Sequence, residues 1–174
     1  MMKKYLAVAV LVLVFTSVNQ LNVFAQNTKT APANVVEPAL SVEVAGKKTK
    51  FGIADLAKLK RLTINTKDHG IDASFEGVAM ADILTLAGVE FGEKLRGKRM
   101  NEYVIVEAAD NYRAVYALAE FDPSFTDNVI ILADKRDGKA LPEKAANWQI
   151  IVPNEKRGGR WVRQVISIKV IAAN

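Results

Sequence analysis

The sequence predicts a strand-rich α+β domain with about seven strands and two or three short helices. Short segments rich in β-branched and aromatic residues recur along the chain, and helical periodicity is confined to brief stretches. Strands and helices do not alternate regularly. Because a doubly wound parallel sheet requires that alternation, this architecture is not expected.

The first residues have the pattern of an export signal. Lys3 and Lys4 precede an apolar run over residues 5–18, and Ala25 ends a small-x-small motif. This predicts a signal peptide over residues 1–25, cleaved after Ala25, and a periplasmic or secreted product. A retained membrane anchor is the alternative, but the apolar run is shorter than the roughly 18–20 residues of a spanning helix.

Composition sets limits on the residues after the signal peptide. Residues 26–38 carry Asn, Thr, Ala and Pro and predict a flexible linker, which leaves one domain over residues 39–174. The formal charge of +5 is modest and lacks a basic stripe with interleaved aromatics, so no nucleic-acid partner is expected. No membrane contact is expected after cleavage. The chain has no cysteine, which excludes disulfides and thiolate metal sites.

The domain begins with strand and helix patterns. Residues 40–44 alternate apolar and polar side chains and break at 45–48, which predicts a hairpin into residues 49–51. Leucine and isoleucine at threefold spacing predict an amphipathic helix over residues 53–62.

A strand–loop–strand pattern and a second helix come next in the chain. Residues 62–66 and, more weakly, 71–75 predict strands that flank a polar loop at 67–70. A second apolar stripe predicts a helix over residues 80–87, ended by Gly88 as its C-cap.

Two β-rich segments predict a second hairpin. They cover residues 103–108 and 112–116, with a turn at 109–111 because Asp and Asn tolerate turn geometry. A helical turn is expected at residues 118–121.

The remaining strands lie in the last third of the chain. Residues 129–133 are apolar throughout and predict a buried strand, followed by a charged turn at 134–139. Strands at 148–152 and 165–171 complete the prediction.

A basic segment that contains a glycine pair separates the last two strands. Adjacent glycines let the backbone approach a ligand closely, and arginines offer planar forks to phosphate oxygens. The segment therefore predicts a binding site for an anionic small molecule, with a solvated basic loop as the alternative. Its candidate residues are Lys156, Arg157, Gly158, Gly159, Arg160 and Arg163.

Three further residues are candidates for the same site. His69 is the only histidine, and a lone imidazole cannot form a histidine metal site, so an exposed loop residue is the alternative. Tyr112 and Arg113 follow a predicted turn and are candidates for lining the cleft. No catalytic residue and no metal ligand are predicted.

Four motifs occur in an order that resembles the molybdopterin-binding domain of the sulfite oxidase family. The resemblance spans residues 40–172 and implies a barrel-like mixed-sheet fold with two or three short helices. The motifs are FEGVAMADIL at 75–84, ADNYRAVY at 109–116, LADKRDGKALP at 132–142, and IVP at 151–153 with RWVR at 160–163.

The resemblance also implies what this chain lacks. Catalytic members bind molybdenum through a cysteine that corresponds to residues 63–70 here, and this stretch offers no sulfur. The Gly-Pro pair of the family is Ala146 and Asn147 here. The basic segment would correspond to the loop that holds the phosphate end of the cofactor.

Three functions remain open from the sequence. The first is an exported, non-catalytic binding or accessory module for an anionic ligand or a pterin. The second is a molybdopterin-dependent oxidoreductase whose metal has a non-cysteine ligand, with Thr66 or Asp68 as that ligand. The third is a structural or protein-interaction domain without a ligand, which predicts a shallow surface beside Arg160 and His69.

Overall fold

The computed structural model describes residues 38–173 of the chain. The predicted signal peptide and residues 26–37 of the predicted linker therefore lie outside the described residues. None of the helices in this part of the chain is long and apolar enough to cross a membrane.

Five strands form the first sheet. They are β1 (Ala39–Val44), β2 (Lys47–Gly52), β5 (Glu102–Ala108), β6 (Arg113–Ala117) and β10 (Val165–Ala172). The order is β2-β1-β10-β5-β6, and only β1 and β10 run parallel. This mixed sheet therefore joins the first and last strands of the described chain.

The second sheet is antiparallel throughout. Its strands are β3 (Arg61–Asp68), β4 (Ile71–Ala79), β7 (Ile131–Arg136), β8 (Lys139–Ala140) and β9 (Gln149–Ile151). The order is β3-β4-β7-β8, and β9 pairs with the first half of β7.

Helices are short in the described residues. The α-helices are α1 (Ile53–Leu56) and α2 (Met80–Leu86), and 3-10 turns cover Gly92–Lys94, Gly97–Asn101, Leu118–Phe121, Glu143–Ala145 and Gly158–Arg160. The described region is thus α+β and strand-rich, as predicted. Its strands form two open sheets, so the barrel-like arrangement is not observed as a closed barrel.

Three hairpins have the same two-residue turn. Both central residues have positive φ, which is the geometry of a type I′ turn and matches the twist of the flanking strands. The second position is glycine each time, since glycine adopts positive φ without steric cost. The pairs are Ala45 with Gly46, His69 with Gly70, and Asp137 with Gly138.

Gly77 lies where β4 contacts β7 most closely. A Cβ atom here would lie 2.1 Å from the carbonyl oxygen of Leu132 and 2.6 Å from the Cα of Ala133. The register of the two strands also shifts between Glu76 and Gly77. The glycine of the FEGVAMADIL motif is therefore required by strand packing.

One continuous hydrophobic core lies on the inner faces of both sheets. Leu40 and Val42 belong to the first sheet, and Phe75 and Leu132 to the second. Helix α2 buries Met80, Ile83 and Leu84 in the same core, and Gly88 follows it with φ +101°, as predicted for a C-cap.

Two predicted elements are wrong. The helix over 53–62 ends at Leu56, because residues from Arg61 onward pair with β4 and the Arg61 guanidinium bonds Asp134 with two distances of 2.6 Å. The charged turn over 134–139 is also too long. Residues 134–136 belong to β7 and pair with β4 and β8, so only Asp137 and Gly138 form the turn.

Candidate functional site

A cleft of about 1510 Å³ lies between the tip half of the β3–β4 hairpin and the basic segment. Its remaining wall comes from the turn between β5 and β6. The lining residues are Asn65, Thr66, Lys67, Asp68, His69, Gly70, Asp72, Ala73, Ser74, Asp110, Tyr112, Asp137, Asn154, Glu155, Lys156, Arg157, Gly158, Gly159, Trp161 and Arg163. A concavity therefore lies beside His69, where the ligand-free alternative predicts a shallow surface.

The hairpin wall follows from strand register. Asn65 lies opposite Ser74 and Thr66 opposite Ala73, and all four residues line the cleft. His69 occupies the first turn position with φ +51°, and its side chain is 78% exposed. This position fits the alternative of an exposed loop histidine, because a turn residue needs no role in ligand binding.

The carboxylates behind the hairpin are already bound. The Asp68 side chain is only 11% exposed, and its Oδ2 accepts a hydrogen bond of 2.6 Å from the Arg136 guanidinium. Arg136 also contacts Asp137 at 3.3 Å and lies 5.4 Å above the centroid of the Phe75 ring. Asp137 accepts the backbone N–H of Ser74 at 2.9 Å, which lowers the pKa of its carboxyl.

The floor of the cleft is aromatic. Trp161 is buried and its Nε1–H donates to the carbonyl of Val152 at 2.9 Å. Its ring meets Phe75 edge-on at 5.6 Å between centroids. A Cβ atom on Gly158 would lie 3.6 Å from the Trp161 ring, so the glycine backbone rests close to this floor.

Three cations on the opposite wall have no partner among residues 38–173. The side chains of Lys156, Arg157 and Arg163 are exposed, and none of them takes part in an ion pair or hydrogen bond with another described residue. The backbone of Arg163 forms an antiparallel β-bridge with Gln149. Next to it, the Ile150 N–H donates a hydrogen bond to the Val162 carbonyl at 2.8 Å, which fixes the position of this segment.

Every carboxylate in the lining, by contrast, has a partner. Asp68 and Asp137 contact Arg136, and Glu155 contacts Arg160. The remaining two are Asp72, which lies 3.8 Å from Lys67, and Asp110, which accepts the Tyr112 N–H at 3.0 Å. Asp110 has no cationic partner among the described residues, so the unpaired charges of this site are three cations and one carboxylate.

The structure brings seven of the nine predicted residues to the cleft lining: Lys156, Arg157, Gly158, Gly159, Arg163, His69 and Tyr112. Arg160 and Arg113 are not part of it. Arg113 points to Glu107 on the neighbouring strand, with contacts of 2.7 and 3.2 Å. Whether any of the nine binds a ligand stays a prediction.

Arg160 forms ion pairs with two glutamates and contacts one tyrosine ring. Its Nε donates to Glu155 at 2.7 Å and its Nη1 donates to both oxygens of Glu120 at 3.0 and 2.9 Å. Its guanidinium lies 4.9 Å from the centroid of the Tyr116 ring. Burial works to lower the pKa of Arg160, but the hydrogen bonds to Glu155 and Glu120 outweigh it and raise the pKa.

Sequence reasoning missed several lining residues. Ser74, Asn154 and Glu155 carry no motif, and Asn65 and Thr66 drew attention only because a cysteine is absent there. The signal that finds Ser74 is the hairpin register, once His69 and Gly70 are recognised as a two-residue turn.

No group of three or more His, Cys, Asp or Glu side chains in the described part of the chain could hold a metal ion. Asp68, the carboxylate within the stretch that corresponds to the missing cysteine, is bound to Arg136.

No protein-family model matches this chain, and no curated protein sequence does. Among solved structures, the chain is similar to the sulfane dehydrogenase SoxCD from Paracoccus pantotrophus, with a TM-score of 0.58 and 18% identity. The match covers 76% of this chain and 38% of that chain. Identity this low shows a shared fold alone, and this chain spans well under half the length of the matched protein.

Proposed function

We propose that this chain is an exported binding module whose cleft takes an anionic small molecule, without molybdenum redox chemistry. One observation carries the proposal. Lys156, Arg157 and Arg163 are left without partners on one wall, while each carboxylate of the lining is already neutralised or hydrogen-bonded. The three unpaired cations outnumber the one carboxylate without a cationic partner, Asp110, so an anion that enters this cleft gains charge-assisted hydrogen bonds.

The sulfite-oxidase-type fold is part of the same proposal. The four ordered motifs and the fold similarity to a sulfane dehydrogenase both support it. A pterin with a phosphate group is accordingly one ligand that the basic wall would suit.

The metal end of such a cofactor does not fit the residues present. A soft thiolate is the ligand that corresponding enzymes use, and neither Asn65 nor Thr66 offers sulfur. Asp68 already accepts a hydrogen bond from Arg136 and is therefore not free to coordinate a metal. No redox step is therefore derived for this site.

Titration with pyrophosphate by isothermal calorimetry tests the binding claim. Lys156→Met and Arg157→Met should each weaken binding by about fivefold, which corresponds to about 1 kcal/mol for an exposed charge. Raising the salt concentration should weaken wild-type binding and reduce the difference between wild type and variants.

Matched controls come from an exposed basic stretch outside the cleft. Lys98 and Arg96 are exposed and are not part of the lining. Lys98→Met and Arg96→Met should bind pyrophosphate as wild type does. Equal weakening in all four variants would show that net charge alone attracts the anion, and the proposed site would be wrong.

Protein purified from its native host tests the non-catalytic claim. Metal analysis and pterin fluorescence should give no stoichiometric molybdenum. Stoichiometric molybdenum together with reductase activity would overturn it. Sequencing of the mature N-terminus tests export, with Gln26 expected as the first residue.

A further inference from the structure

Glu155 stands in an unfavourable place for an anion site. It lines the cleft and directly precedes Lys156 and Arg157, two of the unpaired cations. A free carboxylate here would compete with any anionic ligand for those cations and would repel the ligand itself. The site therefore depends on the group that holds Glu155.

Arg160 holds one oxygen of the Glu155 carboxylate. Two guanidinium nitrogens, Nε and Nη2, contact the same Glu155 oxygen, and the third nitrogen binds both oxygens of Glu120. The flat face of the guanidinium is covered by the Tyr116 ring. Although the side chain is 35% exposed, its three nitrogens are all bound to glutamates, and Arg160 is not part of the cleft lining.

The other end of this ion-pair network is fixed to the first sheet. Glu120 lies on the 3-10 turn Leu118–Phe121 and accepts the N–H of Ala117 at 2.9 Å, directly after β6. The Tyr116 hydroxyl donates to the Arg160 carbonyl, and the Tyr112 hydroxyl donates to the Gly159 carbonyl at 2.6 Å. The turn Gly158–Arg160 is thus hydrogen-bonded to two tyrosines, Tyr116 in β6 and Tyr112 just before it.

We propose that Arg160 is a positioning residue that keeps Glu155 away from the ligand, and that it does not contact the ligand itself. This inference rests on the proposed function and specifies it. Anion affinity should depend on Arg160 only through Glu155.

A double-mutant cycle with pyrophosphate separates the two roles. Arg160→Met leaves Glu155 and Glu120 without their cation and should weaken binding about tenfold, because a positive charge is lost and the carboxylate that lines the cleft, Glu155, is freed. Arg160→Met combined with Glu155→Gln has the net charge of the wild type and should bind within about threefold of Glu155→Gln alone.

Arg99 supplies the matched structural control. It pairs with Glu102 at 3.0 Å through two nitrogens, its side chain is 31% exposed against 35% for Arg160, and it lies outside the cleft lining. Arg99→Met should lower the Tm and leave the Kd for pyrophosphate unchanged.

Each outcome decides one claim. The positioning role is overturned if Arg160→Met binds pyrophosphate with wild-type affinity. It is also overturned if Arg160→Met loses affinity and adding Glu155→Gln does not restore it, and that result would make Arg160 a direct ligand contact. Absence of pyrophosphate binding by the wild type overturns the proposed function and this inference together. If Arg160→Met fails to fold, Arg160→Lys replaces it. A lysine cannot hold both glutamates, so it should weaken binding and be rescued by Glu155→Gln in the same way.

Discussion

Substitution of Gly77 with alanine tests the packing of β4 against β7. The added methyl carbon would lie 2.1 Å from the carbonyl oxygen of Leu132 and 2.6 Å from the Cα of Ala133. Both are backbone atoms, so no side-chain rotation can relieve the contact. The two strands would have to separate by about 1.3 Å to restore a contact of 3.4 Å.

That separation has a calculable cost. Overpacking of a filled core costs about 1–3 kcal/mol. Ladder hydrogen bonds next to Gly77, such as those at Val78 with Leu132, would stretch, and each contributes about 1 kcal/mol net. We expect Gly77→Ala to lower the free energy of unfolding by about 3 kcal/mol or more, and the Tm by roughly 6–12 °C for a chain of this size.

Urea unfolding followed by far-ultraviolet circular dichroism measures the effect, with Gly52→Ala as the control. Gly52 has φ −79° and ψ 173°, and its added Cβ meets only the Asp55 Oδ2 at 3.9 Å. The control should stay within about 0.5 kcal/mol of wild type. A loss below about 1 kcal/mol in Gly77→Ala, or equal losses in both variants, would refute the packing explanation.

Two further predictions concern a buried carboxylate and a strained backbone. Asp122 is 1% exposed, and this burial works to raise the pKa of its carboxyl. Hydrogen bonds from the N–H groups of Ser124 (2.8 Å) and Gly92 (2.6 Å) outweigh the effect of burial, so the pKa lies below the ordinary 3.8. Asp122→Asn should therefore cost about 2–3 kcal/mol of unfolding free energy at pH 7, and urea unfolding should find this difference shrinking as the pH falls below about 4. Ala146 has φ +50° and ψ −135°, a backbone conformation that is strained for alanine and favours glycine. Ala146→Gly should therefore stabilise the protein by about 1 kcal/mol, and a lower Tm in this variant would contradict the presence of strain.

Local patterns predicted most of the sheet content. The hairpin over residues 103–116, helix α2 and the last strand lie where their patterns place them, because their apolar periodicity agrees with their tertiary environment. The predicted helix over 53–62 is too long because the residues from Arg61 onward pair with β4, a tertiary contact that leucine spacing does not reveal. Leu62 pairs with Gly77 in the second sheet instead.

The basic wall was the most predictable part of the site, and His69 and Tyr112 were the predicted residues on the other two walls. A glycine pair among basic residues is a local signal, and it led to Lys156, Arg157 and Arg163. Side chains that neutralise a charge come from distant segments, and no local pattern reveals them. Arg160 shows this limit, because Glu120 lies 40 residues away and removes Arg160 from the cleft.

The motifs behind the family resemblance have structural roles that need no ligand. Gly77 permits the contact of β4 with β7, Asp137 with Gly138 forms a type I′ turn, and Trp161 closes the core under the cleft. Such motifs therefore account for the fold and do not by themselves indicate a ligand. The three unpaired cations have no such role in the described structure, and for that reason pyrophosphate binding at Lys156 and Arg157 is the measurement that tests whether the cleft is a binding site.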